Sequence, residues 1–416
     1  MNLYQDLYMD LDAGRLEARL GASVWESGDD SRGADWLDKS VVRLQKLEPG
    51  IELARALWQR GNFRWRHNLG QGAEGDLRRA IELAKDVGAD ILSIETEHDL
   101  GTALIVQHRA EEGMQLIERS YQAARRTSDV FLRVRSANNW GVYLFNYFAE
   151  PEKAATILRT TLEETRRTGS YGFTAWNAVN LSAILRRQGK LDEADEIAHV
   201  SLAAAEKINV PRLRGWALAG LAESSLWKGD VRESRRILDT AQLRDDDQET
   251  QTLVAGLLIE QARAEGRTEE ALVTARAALE IAPEQFFFPG TEQQELGLEV
   301  IRLMIATGDM AEAAGVRSRM RAGFQPPRAA DACLMVADGL LASHPETRIG
   351  HLRQAAEVFD NRGFKIAQLR ALIELAETLV LSREDPKQVV ATARRIGQDS
   401  GAMLYLMELD QRTGPG

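Results

Sequence analysis

Two pairs of side chains have the spacing that metal chemistry on a helix requires. Glu95 with His98, and Glu196 with His199, are Glu-x-x-His pairs, which put a carboxylate and an imidazole on one helical face, as in di-iron bundles. Such a site needs both pairs to converge. The pattern places His98 on the first helix of one helical hairpin and His199 on the second helix of a hairpin two units on, so they are expected to face different sides. No Gly-x-Ser-x-Gly elbow, no Cys-His arrangement and no further metal-type cluster accompanies them, so no enzyme, metal or cofactor is expected. A second signal is polar residues at a fixed interval. Asp99, Asn139 and Asn180 stand 40 and 41 residues apart, and Trp176 and Trp216 stand 40 apart. An amide can donate to and accept from an extended backbone, and an indole can stack on a ligand or shield it. The same residues could instead bond neighbouring helices and fill the seams between them; the sequence leaves both readings open.

The elements that must position these residues are legible in Tyr171 to Lys207. Ala178, Leu181, Ser182 and Leu185 recur at helical spacing, Gly189-Lys190 breaks the helix, and a second apolar face follows through Leu191, Ala194, Ile197, Ala198 and Leu202. Two amphipathic helices folded back on each other make one tile of an array. Aligning the helix breaks gives a ladder at Gly28, Gly70, His108, Ala149, Gly189, Gly229, Gly266, Gly308, Pro345 and Glu384, spaced by 37 to 42 residues. Five residues after nearly every break stands a small residue: Gly33, Gly75, Gly113, Ala154, Ala194, Ser234, Ala271, Ala313 and Gly350. Smallness there lets the second helix cross the first closely. The ladder predicts an all-α solenoid of about ten hairpins, stabilised by the stacking of neighbours with no contact between distant pairs.

Composition narrows the function classes. The 416 residues carry 52 Lys and Arg against 63 Asp and Glu, a net charge of −11, which repels nucleic acid and anionic membranes unless basic residues segregate. Arg64-Trp65-Arg66-His67 is the nearest basic cluster, and a helix face explains it as well as a phosphate contact would. No apolar stretch of about 18 residues exists, and the acidic start MNLYQDLYMDLDAG lacks the basic and apolar run of a signal peptide, so a cytoplasmic protein is expected. Cys333 is the only cysteine, which rules out an intrachain disulfide and suits a buried thiol. Gly70, Gly72 and Gly75 follow no strand and precede no Gly-Lys-Ser/Thr, so they do not make a phosphate loop. Asp245-Asp246-Asp247 reads as a solvated linker.

Two segments interrupt the ladder. PEQFFFPG at 283–290 puts three Phe between prolines, either as a plug in the seam between hairpins or as an insertion that a partner covers. GFQPP at 323–327 is a rigid break that leaves room for a bend near residue 325. The expected division is therefore a leader or partial helix over 1–15, repeats over 16–325, continuing repeats over 326–402 and a tail over 403–416.

RRQGKLDEADEIAHVSLAAAE, LWKGDVRESRRILDTA and HLRQAAEVFDNRGFKIAQLRALIELAETLV resemble the tetratricopeptide-like sensor repeats of bacterial signal-transduction ATPases and of LuxR-type and maltose-activator-like regulators. The period near 40 exceeds the roughly 34 residues of the ordinary tetratricopeptide repeat. No GxxxxGK[ST] motif is present, and too little chain follows Met403 for a helix-turn-helix domain. The resemblance implies a right-handed superhelix whose first helices line a concave groove. With Gly101, Gly141, Ser182 and Ala222 as reference, it places Glu95, His98, Asp99, Arg135, Asn138, Asn139, Trp176, Asn180, Trp216 and Glu223 on that groove. The function it implies is a protein- or peptide-binding scaffold in signalling or regulation; a small-ligand sensor module of a larger regulator is the alternative.

Overall fold

A computed structural model describes residues 2–26, 29–66, 70–107, 109–241, 248–281, 291–322 and 330–414. The protein is all-α, with 21 helices among the described residues, packed pairwise as in tetratricopeptide-like solenoids. By its internal contacts the chain divides into two compact units, Met1–Trp140 and Gly141–Gly416.

The first unit contains α1 (Asn2–Glu26) with α2 (Asp30–Leu44), α3 (Ile51–Arg66) with α4 (Gly70–Asp86), α5 (Asp90–Val106) with α6 (Ala110–Ala124), and α7 (Val130–Asn146) up to Trp140. Residues 2–15 are thus the first half of a long helix packed on α2, where Ser40 donates a hydrogen bond to the Gly14 carbonyl at 2.7 Å. Leu53, Leu57, Leu83 and Leu92 close one core cluster, and Leu77, Leu100, Leu104 and Leu116 the next.

The second unit begins with the last turns of α7. It continues through α8 (Pro151–Thr168), α9 (Tyr171–Arg187) with α10 (Leu191–Ile208), α11 (Pro211–Trp227) with α12 (Val231–Ala241), and α13 (Gln248–Ala264) with α14 (Thr268–Ile281). Then come α15 (Thr291–Ala306) with α16 (Met310–Ala322), α17 (Ala330–Leu341) with α18 (Pro345–Arg362), α19 (Lys365–Leu381) with α20 (Lys387–Ser400), and a last helix, α21 (Met403–Thr413). In α21, Tyr405, Leu406 and Leu409 make one buried face.

The hairpin turns follow the ladder. Ala149, Gly189, Gly229, Gly266 and Gly308 all have positive φ, the left-handed conformation that ends a helix and exposes its last carbonyls to new donors. At Gly189 a side chain is excluded twice: φ is 75°, and a Cβ there would lie 2.3 Å from Ser400 Oγ. Gly28, His108, the Phe286–Phe288 segment, the GFQPP break and the Asp245–Asp247 run lie outside the described residues.

Small residues do sit at the helix crossings. Ala154, Ala194, Ala271 and Ala313 are fully buried, and Ser182 donates to the Ala194 carbonyl at 2.8 Å. A Cβ on Gly113 would stand 2.4 Å from the Gly101 carbonyl oxygen. Gly75 and Gly350 depart from the pattern, since neither has an atom within 4 Å of where its Cβ would be. The tight contact in the second hairpin is made instead by Gly61 against Leu77 and the Ala73 carbonyl, two residues earlier than the ladder placed it.

The expectation of contact between neighbours alone fails within the second unit. Arg187 of α9 bonds Glu295 of α15, Phe145 stacks on Phe364 at 5.5 Å, Arg362 donates to the Phe148 carbonyl, and Tyr405 donates to Glu260 at 2.7 Å. Each hairpin rotates slightly on the last, and here the rotations accumulate until late helices meet early ones. This return explains why α9, α11 and α19 carry buried residues around most of their circumference, unlike a surface helix with one apolar stripe.

Candidate functional site

In the first unit, α5 and α7 bring most of the predicted residues into one hydrogen-bonded network. Asp99, only 1% exposed, accepts from Arg135 Nη2 at 2.6 Å and from Trp58 Nε1 at 2.7 Å, with Asn62 Nδ2 at 3.5 Å. Buried His98 lies between Asn139, whose Nδ2 is 2.7 Å from its Nε2, and Ser120, whose Oγ is 3.3 Å from its Nδ1. Asn139 Nδ2 can only donate, so Nε2 is the acceptor and Nδ1 carries the proton of a neutral ring. Asn138 in turn donates to Asn139 Oδ1 at 3.2 Å. Burial, reinforced by the Arg135 charge, pulls the imidazole pKa down to about 4. Glu95, one turn before Asp99, is half-buried, and burial pushes its carboxyl up against the pull of Arg135. Asp99 and Asn139 thus bond α3, α5 and α7 to one another. His199, on α10 in the second unit, is exposed and bonds the Asp195 carbonyl at 2.7 Å.

In the second unit, Trp176, Asn180, Trp216 and Glu223 gather at a cavity of about 230 Å³. Asn180, Trp216 and Glu223 line it, and Trp176 stands edge-on to Trp216 with ring centres 5.0 Å apart. The lining comes from α7, α9, α11, α13, α15 and α19, which are all first helices of hairpins. One wall is apolar, with Val142, Val179, Ala183, Gly256, Leu257 and Leu296. The floor is charged. Arg187 Nη1 and Nη2 grip both oxygens of Glu223, at 2.7 and 3.1 Å, while Arg187 also reaches Glu295 at 2.9 Å. The Arg187 guanidinium lies 5.4 Å from the centre of the Trp227 ring. Arg186 bonds Glu223 at 2.6 Å and Ser182 at 2.9 Å.

Deeper in the floor, Glu299 is held by Arg263 and Arg302, each at 2.7 Å, and by Arg370. Burial by itself would raise the Glu299 carboxyl, but Arg370, Arg302 and Arg263 overcome it and hold the group at about 2. Glu260 is the reverse case. Burial pushes it up, and the neighbouring Glu299 charge adds to that, although Tyr405 and Trp227 both donate to it and Arg370 stands 3.7 Å away. In Glu223 the charges of Arg187 and Arg186 prevail over burial, and its carboxyl lies below the usual range.

The expected groove set omits Arg186, Arg187, Glu260, Glu295, Glu299 and Arg370. A signal for several was present: a charge in the middle of an apolar run on a first helix, as in LLIEQA, LGLEVIRLMI and QLRALIELA. Extending the interval from Glu223 also reaches Glu260, 37 residues on, and then Glu299, a further 39. Arg370 and Glu295 reach the cavity only because the unit closes, which no local interval records.

Cys333 is buried, and burial raises its thiol, as suits an inert apolar sulfhydryl. Among the described residues no group of three or more His, Cys, Asp or Glu could hold a metal ion, and no helix is long and apolar enough to cross a membrane.

No protein-family profile and no curated protein matches the sequence. Solved structures do resemble it. The apo form of RapI superposes with a TM-score of 0.53 at 16% identity, covering 76% of this chain and 84% of that one. A Rap protein complexed with Competence and Sporulation Factor gives a TM-score of 0.47 at 15% identity, covering 86% of this chain and 87% of that one. The apo form of the quorum sensor NprR from B. thuringiensis gives 0.46 at 12% identity, covering 95% of this chain and 99% of that one. At such identity the likeness to RapI is one of fold: the chain is a tetratricopeptide-like helical repeat protein.

Proposed function

We propose that this is a binding module of a signalling or regulatory system, which takes a peptide or protein segment on the first helices of its second unit. The observation that supports this reading is the cavity itself, which runs across the first helices of successive hairpins and has Asn146, Asn180 and Trp216 in its lining. Amides on consecutive repeats suit an extended backbone, which offers a donor and an acceptor at nearly every residue. Trp176, Asn180, Trp216 and Glu223 are the predicted residues assigned to contact the segment. Glu95, His98, Asp99, Arg135, Asn138 and Asn139 are assigned to hold α5 and α7 in register. A cytoplasmic setting and a regulator of the signal-transduction ATPase or LuxR type fit this role.

The test is to pan a displayed library of random peptides against the whole chain and repeat the selection on Gly256→Trp. Gly256 lines the cavity, and its Cβ would have only Leu296 atoms near it, at 3.9 Å or beyond, so the indole enters the cavity rather than the core. A peptide that binds the natural chain and is lost on Gly256→Trp, with unchanged helical content, supports the reading. Peptides indifferent to Gly256→Trp, or none at all, overturn it. The small-ligand alternative draws support from the modest volume and from closure of the floor by Arg370 of α19. It would be favoured if small metabolites, and no peptide, raised the melting temperature of the natural chain alone.

A further inference from the structure

The cavity floor has guanidinium and carboxylate groups in near balance, but they do not face the cavity equally. Glu295 and Glu223 keep 21% and 17% of their side-chain surface, whereas Arg186 and Arg187 keep 6% and 4%. Arg186 and Arg187 stand behind Glu223 and Glu295, while Arg370, which keeps 13%, is engaged by Glu299 and Glu260. Arg187 directs its three nitrogens at Glu223 and Glu295 with its guanidinium over Trp227, and Arg186 lies flat against α11, where a Cβ on Gly220 would be 2.6 Å from Nη1. An anion entering here would have to displace a carboxylate from a buried, multiply bonded pair. A donor meets acceptor oxygens already held in place by the arginines, so little ordering cost remains.

We propose that the cavity is built for a cationic side chain on an aliphatic stem, a lysine or arginine of the bound segment, with its charge against Glu295 and Glu223. This rests on the reading of the cavity as the segment-binding site. The apolar wall of Val179, Leu257 and Leu296 faces the stem, and a stem of several methylenes gains from that wall while its head stays polar. Glu260, a carboxyl in the lining pushed upward by burial and by the Glu299 charge, adds to the same preference, and the net charge of −11 draws cations toward the chain.

Calorimetric titration of the whole chain with four blocked single residues tests this: the N-acetyl amides of arginine, lysine, norleucine and glutamate. Saturable binding of arginine or lysine, weakened by added salt and absent for norleucine and glutamate, is the expected result. The ratio of the two cations says which side chain the cavity prefers. Glu295→Gln keeps the shape and removes the charge, and should weaken the cationic probe roughly tenfold, the worth of one hydrogen bond to a charged group. Glu193→Gln, on a carboxylate of α10 outside the cavity lining, should leave it unchanged. A melting curve of each variant guards against misfolding, and Gly256→Trp should abolish the binding of every probe. Equal binding of norleucine, stronger binding of glutamate, no binding of either cation at millimolar concentration, or indifference to Glu295→Gln overturns the proposal. If library peptides still need the open cavity while the charge preference is missing, the cation assignment alone falls. If Gly256→Trp spares both peptide and probe, the groove reading falls with it.

Discussion

Asn139 and Asn180 occupy the same repeat position and meet different surroundings, so their truncation should have different consequences. Asn139→Ala leaves the buried His98 Nε2 without its donor and should cost about 1–3 kcal/mol of stability. Asn180→Ala, at the cavity, should weaken segment binding by roughly 0.5–1.5 kcal/mol. Denaturation of Asn139→Ala without ligand checks the first, and titration of Asn180→Ala with a selected peptide checks the second. His98 adds a pH dependence. Its folded pKa of about 4 lies below the ordinary 6.5, so between those values the unfolded chain binds a proton that the native one refuses. Stability is therefore complete above pH 6.5 and falls as the pH drops toward 4. Melting at pH 7 and at pH 5 should differ more for the natural chain than for His98→Gln; an equal difference would mean that the ring is not held neutral.

Among the helices, the repeat pattern made the hairpins, their turns and most crossings legible. It missed where a small residue was merely tolerated. Gly113 and Gly75 both follow a predicted break by five residues, yet a Cβ on Gly113 meets the Gly101 carbonyl and one on Gly75 meets nothing. Gly113→Ala should thus lower the melting temperature by forcing α5 and α6 apart. Gly75→Ala should raise stability by up to about 1 kcal/mol, since alanine loses less backbone entropy in a helix. A pair of thermal melts decides this, and a stabilised Gly113→Ala would mean that α5 and α6 do not cross at Gly101. Ala194→Trp belongs to the same class as Gly113→Ala and should cost roughly 1–3 kcal/mol or more by overpacking against Ser182.

The second unit as a whole behaves unlike an open stack. Tyr405 of α21 is fully buried, donates to Glu260 of α13 and lies near the rings and charges of Trp227 and Arg370. Arg412 of the same helix bonds Glu374 and Glu377. Removing residues 403–416 should therefore speed amide exchange in α11 and α13, far back in the chain. A stack with neighbour contacts alone would confine the change to α19 and α20. Exchange mapped along the truncated and full chains separates the two. Tyr405→Phe is the milder version, costing about 1–3 kcal/mol for a buried carboxyl that loses a donor.

What the sequence by itself determined is what local spacing can encode: helical faces, glycine breaks, the interval near 40 residues, and a first-helix row of Asp99, Asn139, Asn180, Trp176, Trp216 and Glu223. Each depends on contacts within a hairpin or with the next, so each repeats visibly. Tertiary structure decided which of those residues serve one another and which face a cavity. Asn139 bonds His98, while Asn180 lines a cavity that Glu295 and Arg370 help to enclose. Their arrival depends on the sum of small rotations between successive hairpins, set by side-chain volumes at many seams, and no interval in the sequence carries that sum.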